Sequence, residues 1–333
     1  MTTTRYTIAC ADGDEGYRDL IGQEMLDSLD AEGVRVNWHN GTPGDDDEWL
    51  RRVGDAEGLL LLWSLPDRVL RESPNLKAVS WVGSGVHTFV NVPLASALGI
   101  RVCNTPGYGN DAVAEHTLGL ILALARGTVA LDAEIRRGDW PRDDVRGVEL
   151  AGKTLGVVGL GGIGTRVAQL GGLLGMRVLA WTREPTPERL ALARATYASL
   201  EDLFAASDIV SLHLAPAPEA TGIVSASLLR RMQPGAFLIN TARAELVDGD
   251  ALLNALRERR IGGAALDVFS SEPLPPDNPW RALPNVILTP HIGFRTPEAS
   301  GRSVRMAVDN LARMFQGEPR HVVNLNELIR PRQ

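Results

Sequence analysis

Through almost the whole chain, short apolar runs alternate with longer stretches whose apolar residues recur every three or four positions. That alternation is the signature of strand–helix–strand units and of parallel sheets. The runs 7–11, 34–38, 58–63, 78–82 and 100–103 read as the strands of one small open sheet. From Asp111 the pattern turns helical: Val113, Thr117, Leu120, Ile121 and Leu124 share a face, closing before Gly127, and this helix reads as the link between two domains. A second series, 154–158, 177–181, 208–214, 236–240, 263–267 and 285–289, supplies the six strands of a complete doubly wound sheet. After Pro290 a last helical pattern, with Val304, Val308, Leu311, Ala312 and Phe315, is assigned to the first sheet. The predicted fold class is α/β, with two doubly wound parallel-sheet domains. The acidic run from Asp45 to Glu48 reads as a solvated loop or a helix start.

Composition narrows the function classes. At 333 residues the chain has room for two cores, and 44% hydrophobic with 23% charged residues is the make-up of a packed protein. A net charge of -7 repels a phosphate backbone, so nucleic acid is excluded as a partner. Lys77 and Lys153 are the only lysines, which leaves Schiff-base chemistry little to work with. Cys10 and Cys103 are too few for a disulfide framework or a Cys-rich metal site. The N-terminal apolar stretch around Ile8 to Ala11 is too short for a signal peptide, and the runs 59–65 and 118–125 are too short to cross a bilayer. The expectation is a cytoplasmic protein with no membrane partner and no metal.

Gly159-Leu160-Gly161-Gly162-Ile163-Gly164 matches G-x-G-x-x-G. Its context is informative: it follows an apolar strand ending at Val158 and opens a helix whose inner face is predicted as Ile163, Val167, Leu170 and Leu174. In a dinucleotide-binding turn Gly159 permits the tight bend, Gly161 lets a pyrophosphate approach, and Gly164 lets helix and strand pack closely. The helix N-terminus adds free N–H groups and a positive dipole end. Where an NAD-binding unit places an acid at the end of its second strand, this chain has Thr182 followed by Arg183 and Glu184. Arg183 is suited to a 2′-phosphate, which favours NADP(H) over NAD(H). The alternative is that Arg183 is a solvated charge and Glu184 takes the ribose, restoring NAD(H).

Ligands of open α/β sheets lie beyond the carboxyl ends of the strands. In the second series those ends carry His213, then Asn240-Thr241-Ala242-Arg243, then Asp267, then His291. With Glu272 nearby in sequence, one His, one Glu and one Arg can converge on a nicotinamide, the set that hydride transfer to a 2-keto acid requires. His291 is the candidate proton donor, Glu272 the carboxylate that orients it, and Arg243 the fork that holds the substrate carboxylate and polarises the keto oxygen.

Asn104-Thr105-Pro106-Gly107, Ala114-Glu115-His116-Thr117, the glycine motif, Asn240 to Arg243, Ala265 to Phe269 with Glu272-Pro273, and Thr289 to Gly293 together resemble the D-isomer-specific 2-hydroxyacid dehydrogenase family over nearly the whole chain. The resemblance implies an NAD(P)-dependent oxidoreductase acting on a small 2-keto or D-2-hydroxy acid, with Arg243, Glu272 and His291 as the catalytic set. It implies a Rossmann dinucleotide-binding domain, 104–290, inserted in a smaller flavodoxin-like substrate domain, 1–103 and 291–333, the two closing over the cofactor about hinges near 104–107 and Pro290. Carried over by position, Gly162 and Ile163 lie at the pyrophosphate, Thr182 and Arg183 at the adenosine ribose, and His213 and Leu214 near the adenine. Thr241, Ala242, Asp267, His291 and Gly293 lie toward the nicotinamide. The loop Val82, Gly83, Ser84, Gly85 offers its amides to the substrate carboxylate. His39, His87, His116 and His321 are given no catalytic role.

The chain departs from the family pattern at Ala244, His87 and Phe294-Arg295, and Phe294 favours an apolar or aromatic substrate side chain. A homodimer through the 111–137 region and Trp140 is implied, and nothing after Asn324 is long enough for a regulatory domain. A glyoxylate or hydroxypyruvate reductase is the leading expectation. The alternatives are a formate- or phosphite-type dehydrogenase, against which Glu272 argues, and a dinucleotide-sensing, corepressor-like binding protein.

Overall fold

The computed structural model describes residues 5–143, 147–215 and 217–328. The first residues of the N-terminal stretch and the end of the polar tail lie outside them. The chain divides into two compact units, Met1–Gly109 with Arg295–Gln333, and Asn110–Phe294.

In the first unit β1 (Tyr6–Gly13), β2 (Val34–Asn40), β3 (Gly58–Leu61), β4 (Ala78–Trp81) and β5 (Arg101–Cys103) form a sheet in the order β2-β1-β3-β4-β5. All its pairings are parallel. Helices cover both faces, so the strands read as near-continuous apolar runs; all four residues of β3 are buried. The helix Pro297–Phe315 packs Val304, Ala307, Val308 and Leu311 against Ile8, Cys10 and Leu60. The acidic run is a helix start: Asp45 accepts the Glu48 N–H at 2.7 Å and caps Asp46–Val53.

The second unit holds β6 (Thr154–Val158), β7 (Arg177–Trp181), β8 (Thr196–Tyr197), β9 (Ile209–Leu212), β10 (Phe237–Asn240), β11 (Gly263–Leu266) and β12 (Val286–Leu288). Their order is β12-β11-β10-β9-β6-β7-β8, all parallel, a doubly wound sheet that reverses direction between β6 and β9. It has seven strands, one more than the pattern predicts. The extra strand, β8, is two residues long and exposed, too short to carry a period. The inner face of helix Gly162–Leu173 also differs from expectation. Gly164, Val167, Ala168 and Gly171 are buried, Ile163 and Leu170 only partly, and Leu174 stays 37% exposed. A Cβ at Gly171 would lie 2.5 Å from Leu155 Cδ2, so the helix approaches β6 along its glycine edge, with Ile163 and Leu170 packed at the border of the same core. Among the described residues no helix is long and apolar enough to cross a membrane.

Asp12, at the carboxyl end of β1, is 0% exposed and accepts the backbone N–H groups of Leu62 and, at 2.7 Å, Trp63. Burial pushes its carboxyl up to about 6 despite those hydrogen bonds and nearby Arg52. The folded state therefore holds the Asp12 proton more tightly than the unfolded chain. Its contribution to stability is greatest below about pH 4 and is lost as pH rises through about 6. Asp12→Asn should gain stability relative to the parent protein by about 2 kcal/mol on going from pH 4 to pH 7. Denaturant unfolding at the two pH values measures this, and an unchanged difference would contradict the buried charge.

Candidate active site

The glycine motif follows β6 at the point where the sheet reverses, and each glycine meets a different constraint. Gly159 has φ 101°, and a Cβ there would strike the His213 carbonyl oxygen at 2.7 Å and Leu214 Cδ2 at 2.9 Å. At Gly164 it would lie 1.9 Å from the Gly159 carbonyl oxygen, a separation no structure tolerates. At Gly162 it would meet the Asn110 side chain at 2.3 Å. At Gly161, the N-cap of the helix, it would meet nothing within 4 Å. The one glycine with open space beside it is the one across which a pyrophosphate must approach, so these residues fit a dinucleotide.

At the end of β7 Thr182 is buried, and its hydroxyl receives Arg189 Nη1 at 3.4 Å. Arg183 donates to Glu219 Oε1 at 2.8 Å, and Glu184 leans toward Arg189 at 3.8 Å. Arg189 thus joins Thr182 and Arg183 at this strand end; it lies in the first turn of Pro187–Ala193, beyond the reach of a strand-end reading.

The adjacent strands β10, β11 and β12 deliver the remaining groups to one edge. After β10 the Asn240 amide clamps its own turn, accepting the Ala242 N–H at 3.0 Å and donating to the Arg243 carbonyl at 2.8 Å. Arg243 is half-buried and donates to the Ala242 carbonyl at 2.7 Å. With neighbouring strands about 4.8 Å apart, the turns after β10 and β12 are on the order of 10 Å from each other. Past β12, His291 Nδ1 lies 2.8 Å from Glu272 Oε2, and Glu272 Oε1 accepts the Phe269 N–H at 2.9 Å. An ionised carboxylate only accepts, so Nδ1 carries its hydrogen toward Glu272 and Nε2 is left for other work. Phe294 meets the His291 ring edge to face, centroids 6.0 Å apart.

His291 has φ 54°, a left-handed conformation costly for a side chain of its size. Asp267 holds it there. This carboxylate, 1% exposed, accepts the Thr289 hydroxyl at 2.5 Å, the Ile292 N–H at 3.0 Å and the Gly293 N–H at 2.9 Å. Burial pushes the Asp267 carboxyl up, but hydrogen bonds from His116, Thr289 and the two amides outweigh it and hold it below the usual carboxylate range. His116 Nε2 lies 3.2 Å from Thr289 Oγ1 and 3.5 Å from Asp267 Oδ1. Its neighbour Thr117 meets the Thr241 hydroxyl at 2.9 Å. Their place in the Ala114 to Thr117 motif and on a helix facing the sheet are the signals in the sequence for their part.

His213, the other strand-end histidine, is pushed down to about 3 by burial and bonds Ser211 Oγ at 2.8 Å. It is a neutral packing partner of the glycine turn. In the first unit the loop after β4 spends two amides internally, Val82 on the Leu61 carbonyl and Gly83 on that of Trp81. Among the described residues no acceptor takes the Ser84 or Gly85 N–H, so those two remain for an anion.

A family model described as D-isomer specific 2-hydroxyacid dehydrogenase, NAD binding domain, matches residues 118–293. The chain belongs to this family. It is 41% identical over 308 residues to a glyoxylate reductase of Aeropyrum pernix, covering 89% of this chain and 91% of that protein. It is 38% identical over 287 residues to a D-3-phosphoglycerate dehydrogenase of Mycobacterium tuberculosis, covering 86% of this chain but 54% of that longer protein. The solved structure of D-lactate dehydrogenase with NAD+ from Lactobacillus jensenii superposes with a TM-score of 0.80 at 26% identity, covering 95% of this chain and 98% of the other. This family member is an NAD(P)-dependent oxidoreductase that moves hydride between 2-keto and D-2-hydroxy acids.

The glycine constraints separate two substitutions that sequence alone would treat alike. Gly164→Ala should cost about 3 kcal/mol or more, because backbone must move. Gly161→Ala, in extended backbone and open space, should leave stability within about 1 kcal/mol. Thermal unfolding of the two variants measures the contrast.

Proposed function

We propose that Arg243, Glu272 and His291 are the catalytic residues and that the enzyme reduces a small 2-keto acid. The observation that carries this is the 2.8 Å contact of Glu272 with His291 Nδ1, which fixes the ring and leaves Nε2 as the nitrogen for a substrate. The reduced dinucleotide, when bound, supplies hydride to the keto carbon. As the carbonyl π pair moves onto oxygen, His291 Nε2 delivers the proton that makes the hydroxyl, and in the reverse direction it removes it. Arg243 holds the substrate carboxylate and stabilises the developing oxyanion. Gly159, Gly161, Gly162, Ile163 and Gly164 receive the pyrophosphate; Thr241, Ala242, Asp267 and Gly293 border the nicotinamide. The free amides of Ser84 and Gly85 are the anion-binding candidates of the first unit, and Phe294, set against His291, borders the substrate side chain. The similarity to a glyoxylate reductase supports glyoxylate or hydroxypyruvate as substrate.

For the cofactor we propose NADP(H). Thr182 replaces the acid that would hold a ribose 2′-hydroxyl, and Arg183 and Arg189 stand beside it. The Arg183–Glu219 pair is exposed on both sides, and such pairs contribute little, so a phosphate dianion can displace Glu219. We propose also that the enzyme is a homodimer in the cytoplasm. Helix Thr128–Arg137 buries none of its residues, and Val129, Ile135, Leu122 and Trp140 stand exposed along this region, as a second copy would require; the two buried free thiols suit a reducing compartment.

Arg243→Ala should lower kcat/KM for glyoxylate or hydroxypyruvate by about 100-fold or more while dinucleotide binding persists. Near-normal turnover across a panel of keto acids would remove Arg243 from the mechanism. Arg183→Ala should raise the KM for NADPH about tenfold with little change for NADH. Side-by-side titration decides it, equal effects on the two cofactors counting against the preference.

A further inference from the structure

Helix Asn110–Arg126 touches both turns that carry charge at the sheet edge, and it does so through consecutive residues. Thr117 anchors itself on the Val113 carbonyl at 2.7 Å and meets Thr241, two residues before Arg243. His116 reaches the turn of His291. The direction of the hydrogen bonds there follows from what each group has already spent. Thr289 gives its hydroxyl hydrogen to Asp267, so toward His116 it can only accept, and His116 must donate from Nε2. Asp267 then passes the constraint on, holding the two amides that follow His291. The ring also limits the loop sterically: a Cβ at Gly293 would lie 3.3 Å from His116 Cδ2.

We propose that His116 is a positioning residue for His291, acting through Thr289 and Asp267, and that His116 and Thr117 together make this helix the common support that sets His291 relative to Arg243. His116 is not itself an acid or base, because its Nε2 is committed to Thr289 and Asp267. The inference rests on His291 being the proton donor. Its strength lies in the left-handed backbone of His291: a residue held against its preference depends on its support more than one at rest.

Two substitutions separate positioning from mere space filling. His116→Phe keeps a ring against Gly293 and loses the donor; His116→Gln keeps an amide donor that reaches about as far as Nε2. In His116→Phe, kcat for the keto acid should fall about 30-fold, since misplacement by a fraction of an ångström is costly at the reacting atoms. The dissociation constant for NADPH, read by fluorescence, should change less than about threefold, and His116→Gln should recover most of the turnover. In ¹⁵N-histidine-labelled enzyme without cofactor, the His291 ring signals, identified by their loss in His291→Asn, should shift in His116→Phe and return in His116→Gln.

Unchanged kcat in His116→Phe, a parallel loss in Phe and Gln variants, or weakened NADPH binding in step with kcat would each overturn the proposal. If His116→Phe does not fold, Thr289→Val carries the same expectations, and failure of both to fold assigns His116 a structural role and overturns positioning. His291→Asn run alongside distinguishes the two layers. Full turnover in that variant sinks the reading of His291 itself, whereas lost turnover with an indifferent His116→Phe sinks only the support.

Discussion

A single buried carboxylate, Asp267, collects a hydroxyl and two backbone amides, and the turn bearing His291 takes its shape from that convergence. Without it, the left-handed φ of 54° at His291 would relax, and the imidazole would leave Glu272. The comparison with Asp12 shows what makes such an anchor work. Both aspartates are buried at the carboxyl ends of parallel strands and both tie down the turn beyond. At Asp12 burial wins and the carboxyl titrates near 6; at Asp267 a hydroxyl and an imidazole add to the amides, and the carboxyl is held below its usual range. Asp267 therefore keeps its charge to lower pH than Asp12 does, and with it the hydrogen bonds that shape the turn.

Strand order does the rest of the placement. Because β10, β11 and β12 are neighbours and parallel, residues far apart in sequence arrive at one edge with only their turns left to specify. The turns are specified locally, by Asn240 folding back on its own backbone and by Glu272 reaching the Phe269 amide. At the other side of the reversal, β6 and β9 bring the glycine turn against His213 so closely that side chains are excluded at two of the motif's positions. The glycine turn and the Glu272–His291 pair are thus two consequences of one parallel sheet with its loops at the same end.

The same logic explains what could be read from sequence. Long apolar runs gave the parallel strands, with β6 and β7 placed to the residue, because strands buried on both faces keep an uninterrupted pattern. The His291–Glu272 contact was legible because both residue types are demanded by one reaction and lie on neighbouring strand ends. The helix after the glycine motif misled, since periodicity weights large apolar residues, while Gly164 and Gly171 win the inner face by being small. β8 had no length from which to show a period. Arg189 was invisible, and His116 and Thr117, though part of the Ala114 to Thr117 motif, showed no partner, for another reason: each acts from a helix, where its partner depends on which way the helix is turned.

Two histidines stand at strand ends of the second unit, and the environment assigns them opposite characters. His213 is packed against the glycine turn with only a serine hydroxyl for a partner, and burial pushes it down to about 3. His291 keeps part of its surface in solvent and faces a carboxylate, which can offset a positive charge at the moment a proton is carried. An enzyme that exchanges a proton with a keto oxygen needs a ring able to pass between two charge states without a large penalty in either. Of these two rings only His291 has a carboxylate at its Nδ1, and the turn built around Asp267 keeps the pair together.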